Sequence, residues 1–113
     1  MTTKVDEFYR AVGAKRCQLV VCADGVSMSV QAHETAYCSP RRDYANPYTS
    51  VEVGFPNREE PLLLEYAEEP DQPTATVYAW VPVQVVTTVI AKHGGIVEGT
   101  VPYGVIPLVA SSR

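Results

Sequence analysis

No apolar run in the chain approaches the ~20 residues that a membrane-spanning helix needs, which argues against a helical membrane protein. Residues 1–10 lack the apolar stretch of a secretory signal. Cysteine is scarce and odd in number, at three. Without a signal segment, those residues are expected to be reduced thiols in a cytoplasmic protein. There is no CxxC spacing, and strand alternation would send Cys17 and Cys22 to opposite faces, so no zinc site is expected. Positive charge is also in deficit: the net charge is −4, so no overall field draws the chain to nucleic acid. The sequence has no internal repeat, low-complexity segment or glycine-rich phosphate loop; His93-Gly94-Gly95 is too little for the last. No cofactor or metal is expected.

What is present is the composition of an ordinary globular protein, 46% hydrophobic and 19% charged, with nine prolines in 113 residues. A chain of this length forms one domain, here 1–113, and buries roughly two-thirds of its unfolded surface.

The organising stretch is 74–95, a strand running directly into an amphipathic helix. Thr76, Tyr78 and Trp80 alternate with Val77, Ala79 and Val81, the period of a strand. Pro82 suits a first helical position. Helical spacing then gathers Val83, Val85, Val86, Val89 and Ile90 on one arc, opposite Gln84, Thr87, Thr88, Ala91 and Lys92. Lys92 and Gly94 are stop signals, so a helix is predicted over 82–93.

Upstream, Thr3, Asp6 and Glu7 precede apolar Phe8, Tyr9 and Val12, predicting a short helix over 4–12. Asp24-Gly25 reads as a two-residue hairpin turn between strands 16–23 and 26–36. That register pairs Ala23 with Val26, Val21 with Met28, Leu19 with Val30 and Cys17 with Ala32, all on one buried face. Residues 48–55 alternate, with Val51, Val53 and Phe55 on one side; residues 62–66 read as a short strand, and 96–110 as an apolar extended tail. The predicted fold is α+β: an antiparallel sheet of four or five strands, the 82–93 helix on one face, and the short N-terminal helix. The apolar tail must lie along its own sheet edge or across a second subunit, and a homodimer or larger assembly is expected.

Positive charge is concentrated at Arg41-Arg42, within Cys38-Ser39-Pro40-Arg41-Arg42 and surrounded by Tyr37, Tyr44 and Tyr48. Arginine forks bind phosphate or carboxylate, and tyrosine rings stack on bases. The other reading is a solvated loop whose arginines pair with Asp43 and Glu52. Trp80 lines either a pocket or the core. His93 falls at the helix end within the apolar arc, facing a cleft or half-buried there, while His33 reads as a surface residue on the polar face of the hairpin. Nucleophilic catalysis would need Cys38 beside His33 or His93 with an orienting acid.

The strings YCSPRRDYANPYTSVEVGFP and TVYAWVPVQVVTTVIAKHGG resemble small uncharacterised proteins carried by phages and mobile gene cassettes, over residues 28–96. The resemblance implies no site residues. It does imply a setting in which proteins of this size bind a signal molecule or a host protein. From the basic, aromatic loop in an otherwise acidic chain, the expected function is a non-enzymatic, homo-oligomeric binding module for a small anionic ligand, for example a nucleotide-like one. Arg41 and Arg42 would grip the ligand, with Tyr44, Tyr48, Trp80 and His93 around it. The alternatives are an interaction or inhibitor protein acting through its apolar tail, and a small hydrolase using Cys38 or His93.

Overall fold

The computed structural model describes residues 16–111. The helix predicted over 4–12 lies outside them. One five-stranded sheet, in the order β4-β3-β2-β1-β5, runs antiparallel throughout. Its strands are β1 (Val20–Cys22), β2 (Ser27–Gln31), β3 (Ser50–Gly54), β4 (Val77–Pro82) and β5 (Ile96–Glu98). Among the described residues a single α-helix, α1 (Val83–Lys92), follows β4 without a break, as the strand-to-helix pattern predicts. Val83, Val86, Val89 and Ile90 of α1 join Val20, Met28, Val30, Val51, Val53, Tyr78 and Val81 of the sheet in one core.

The helix ends as the Lys92 and Gly94 signals imply. Gly95 N–H reaches the Ile90 carbonyl at 2.9 Å and Gly94 N–H the Ala91 carbonyl at 3.1 Å, with Gly94 at φ 90°. This is the Schellman arrangement, in which a glycine takes the left-handed turn without steric cost.

The hairpin forms, but its register differs from the two-residue expectation. Val20 faces Met28 and Val21 faces Ser27. The connection is a three-residue loop, Ala23-Asp24-Gly25, closed by Gly25 N–H to Cys22 O (2.9 Å) and Cys22 N–H to Val26 O (2.8 Å). A two-residue type I′ turn would need positive φ at Asp24 as well; here Gly25 alone takes it, at 90°. Because side chains alternate, this one-residue slip inverts β1 while β2 keeps its expected face. Val20 and Cys22 are buried, and Leu19 is left 53% exposed. Gln31, which alternation sets opposite Val30 and Ala32, is buried too: its side chain bonds both backbone groups of Cys17, at 2.7 and 2.8 Å. His33 is buried as well, with Nδ1 accepting from Thr35 N–H at 3.2 Å.

Two further differences concern strand ends. Residues 62–66 are not a strand: Leu64–Tyr66 forms a 3-10 turn, and Leu63 plugs the core. Phe55 does not continue the buried alternation of Val51 and Val53. It turns out at φ 49° and is exposed.

The apolar tail finds its place largely on its own sheet. β5 pairs with β1, and Val109 bridges Ile96 in parallel. Ile96, Val101 and Val105 are fully buried, whereas Val97, Ile106 and Leu108 remain on the surface. No helix among the described residues is long and apolar enough to cross a membrane.

Candidate functional site

The pairing of β3 with β4 contains an irregularity that sets up an exposed aromatic surface. Val51 pairs with Val81 and Val53 with Tyr78, so Ala79 and Trp80 together stand opposite Glu52. This extra residue is a β-bulge, a device that re-aims a side chain at a sheet edge. Simple alternation would put Trp80 on the face of Tyr78. The bulge instead gives the core to Tyr78 and Val81 and turns Trp80 outward, 48% exposed, at φ 49°. Positive φ is unusual for a bulky residue and costs of order 1–3 kcal/mol.

The 37–44 loop meets Trp80 there. Trp80 N–H donates to the Tyr37 carbonyl at 3.0 Å, and the two rings lie 5.2 Å apart at 33°. The Arg41 guanidinium stands over the Tyr37 ring at 5.5 Å, within cation–π range. The loop is tied to β3 by Ser39 N–H to Ser50 O (3.2 Å) and Thr49 N–H to Ser39 O (2.8 Å). Arg42 and Tyr44 are exposed nearby in sequence, Tyr44 at φ 57°. Among the described residues neither arginine forms an ion pair. The acids considered as their partners serve backbone amides instead: Glu52 accepts from Tyr37 N–H (3.3 Å) and Asp43 from Glu34 N–H (3.0 Å). Three residues beyond Trp80, α1 begins with no capping side chain and no acid in its first turn; the Val83 N–H is taken by the Thr49 carbonyl at 3.1 Å.

Tyr48 does not belong to this surface. It is 1% exposed; its hydroxyl donates to Arg42 O at 2.6 Å and accepts from Ala45 N–H at 3.2 Å. Its ring is core and its hydroxyl shapes the loop from beneath, so it offers no face for stacking. His93 is also elsewhere. The ten residues of α1, about 15 Å at 1.5 Å per residue, separate the ends near Trp80 and His93. The expected six-residue site thus divides. Arg41, Arg42, Tyr44 and Trp80 remain candidates on the loop and bulge, Tyr48 is structural, and His93 anchors a second cluster. The exposed partner that the residue pattern undervalued is Tyr37, visible only as one of three tyrosines around the arginines.

In that second cluster His93 Nδ1 lies 2.6 Å from Asp24 Oδ2 and Nε2 2.7 Å from Glu60 Oε1. Lys92 Nζ reaches Glu60 at 2.9 Å. Burial pulls the Glu60 carboxyl upward, but Leu62 N–H, His93 and Lys92 outweigh it and hold it below its usual range. Nothing in the sequence singles out Glu60, which stands in a charged, proline-flanked segment.

Nucleophilic chemistry finds little support. The buried Cys38 thiol points to the His33 and Pro40 carbonyls at 3.3 and 3.5 Å, and burial pushes its pKa up. Both ring nitrogens of His93 are engaged by carboxylates, leaving no free lone pair for a base. Among the described residues no cluster of histidine, cysteine and acidic side chains is arranged to hold a metal ion. No known protein family, curated protein or solved structure matches this chain.

Proposed function

We propose that the protein is a non-enzymatic binding module for a small anionic ligand bearing a planar ring, of the nucleotide kind. The observation that carries this reading is the outward-turned Trp80, held beside Tyr37 and Arg41 at a backbone cost that the fold of β4 does not require for burial. Trp80 offers a ring face for stacking. Arg41 and Arg42, without carboxylate partners among the described residues, supply charge for the anionic group.

Native mass spectrometry of the purified protein, compared with the denatured chain, tests for a retained ligand and gives the subunit number. Titration with nucleoside mono- and diphosphates tests the class directly. Stacking on one aromatic ring is worth about 1–3 kcal/mol, so Trp80→Ala should weaken binding roughly 5- to 150-fold. Unchanged affinity in the double variant Arg41→Ala, Arg42→Ala would sink the assignment.

A second reading, association through the C-terminal segment with another copy or a host protein, is favoured by the exposed Val97, Ile106 and Leu108. It predicts that Ile106→Asp with Leu108→Asp reduces any concentration-dependent association while leaving the fold intact.

A further inference from the structure

Two carboxylates converge on the two nitrogens of His93, and they come from distant parts of the chain: Asp24 from the β1–β2 loop and Glu60 from the segment after β3. A neutral imidazole has one N–H and one lone pair. It can satisfy one of these contacts but must set lone pair against lone pair in the other. Only the imidazolium donates to both. We propose that His93 is a proton-controlled clamp: in its charged form it fastens the β1–β2 loop and the Glu60 segment to the end of α1, and loss of its proton releases the Asp24 arm.

The surroundings decide which arm opens. Glu60 is 3% exposed in its side chain and also accepts from Leu62 N–H (2.8 Å) and from Lys92. Stripping a partner from such a buried carboxylate is costly. Asp24 is 41% exposed, and water can replace the imidazole there. The other charged groups facing the clamp are Arg58, which donates to the Asp24 carbonyl at 2.8 Å, and Lys92 on the helix itself. The Cys22 thiol on β1, pushed up to about 11 by burial and by Asp24, stays neutral. Backbone bonds from Ala23 N–H to Gly95 O (2.9 Å) and Asp24 N–H to His93 O (3.2 Å) do not involve the imidazole, so its release should loosen the loop without unfolding it.

The direction of the pH effect follows from the same contacts. Burial lowers the His93 pKa, but the bonds and charges of Asp24 and Glu60 outweigh it and raise the value above that of a free imidazole. The clamp is therefore fully present below the unfolded histidine value of about 6.5 and is lost as pH rises through the higher folded value.

NMR of the full chain tests this. The His93 ring should titrate with a midpoint above about 6.5, and the Asp24 carboxylate carbon should shift with the same midpoint while Glu60 moves less. Asp24→Asn should bring the His93 midpoint down toward the free value. A wild-type midpoint at or below about 6.5 overturns the proposal. So does an Asp24 carboxylate that does not respond to the His93 titration. Both readouts come from the unaltered protein, so they decide the matter even if the variant fails to fold.

Discussion

Trp80 donates its backbone N–H to the Tyr37 carbonyl at 3.0 Å while its ring lies 5.2 Å from that of Tyr37. One β-bulge produces both contacts. Opposite Glu52, the extra residue takes the Trp80 amide out of register with β3 and offers it to the 37–44 loop. The loop in turn carries Arg41 over the outer aromatic partner. Loop, bulge and helix start thus hold a common geometry, and the strain sits at a residue left half-exposed.

That strain is measurable. At φ 49°, an L side chain pays roughly 1–2 kcal/mol that glycine does not. Trp80→Gly should therefore be more stable than Trp80→Ala by about 1 kcal/mol, although glycine normally weakens a strand. Paired urea denaturation curves check it. An alanine variant as stable as the glycine one would mean that the left-handed backbone at Trp80 is wrong.

The thiols should be inert in the folded protein. Burial pushes Cys22 up to about 11 and raises Cys38 as well. A disulfide reagent near neutral pH should modify Cys22 and Cys38 only as fast as the chain opens, and both should react promptly in denaturant. Rapid modification of native Cys38 would revive the hydrolase reading.

Acid stability should depend on Glu60. The folded pKa of Glu60 is lowered, as is that of Asp24, the latter first through its bond to His93. A depressed carboxylate contributes stability above its unfolded value, about 4, and loses it as pH falls through the folded value. Glu60→Gln should flatten the decline of thermal midpoint in this acid range. It should also cost about 1.5–3 kcal/mol at neutral pH, because a charged hydrogen-bond acceptor is lost. A variant with the same acid limb as wild type would contradict the cluster geometry.

The class of the fold, the direct passage from β4 into α1, the apolar face of that helix and the stop at Gly94 are all legible in residue spacing, because each is a local periodicity or a local backbone requirement. The hairpin is legible from Asp24-Gly25, but its register is not. Two- and three-residue loops place glycine at the same point, and the choice between them reverses the fate of Leu19 and Val20. Trp80 escapes prediction for a similar reason: a bulge interrupts the alternation that assigns it to the face of Tyr78. The arginines and Trp80 are singled out by chemistry alone. Glu60 and Asp24 acquire meaning only when three segments separated in sequence meet at His93, and no short-range pattern records such a meeting.

The C-terminal segment is integral to the fold, and a chain ending at Gly95 should not fold. Removing residues 96–110 would open the core, because Ile96, Val101 and Val105 are fully enclosed. Side chains of this kind contribute about 1.5–3 kcal/mol each, so their loss removes roughly 5–9 kcal/mol, comparable with the whole stability of a small domain. The segment also passes against β1 with no room to spare. A Cβ on Gly99 would lie 2.2 Å from the Leu19 carbonyl oxygen and 2.6 Å from Val20 Cα, both backbone atoms that cannot move aside cheaply. Gly99→Ala should therefore cost more than any single exposed substitution in the segment, such as Ile106→Asp. Circular dichroism and denaturant midpoints on the three variants give the ordering: truncation unfolded, Gly99→Ala strongly weakened, Ile106→Asp near wild type. A cooperatively folded truncation would show that β5 and the residues after it are an addition to the core and not part of it.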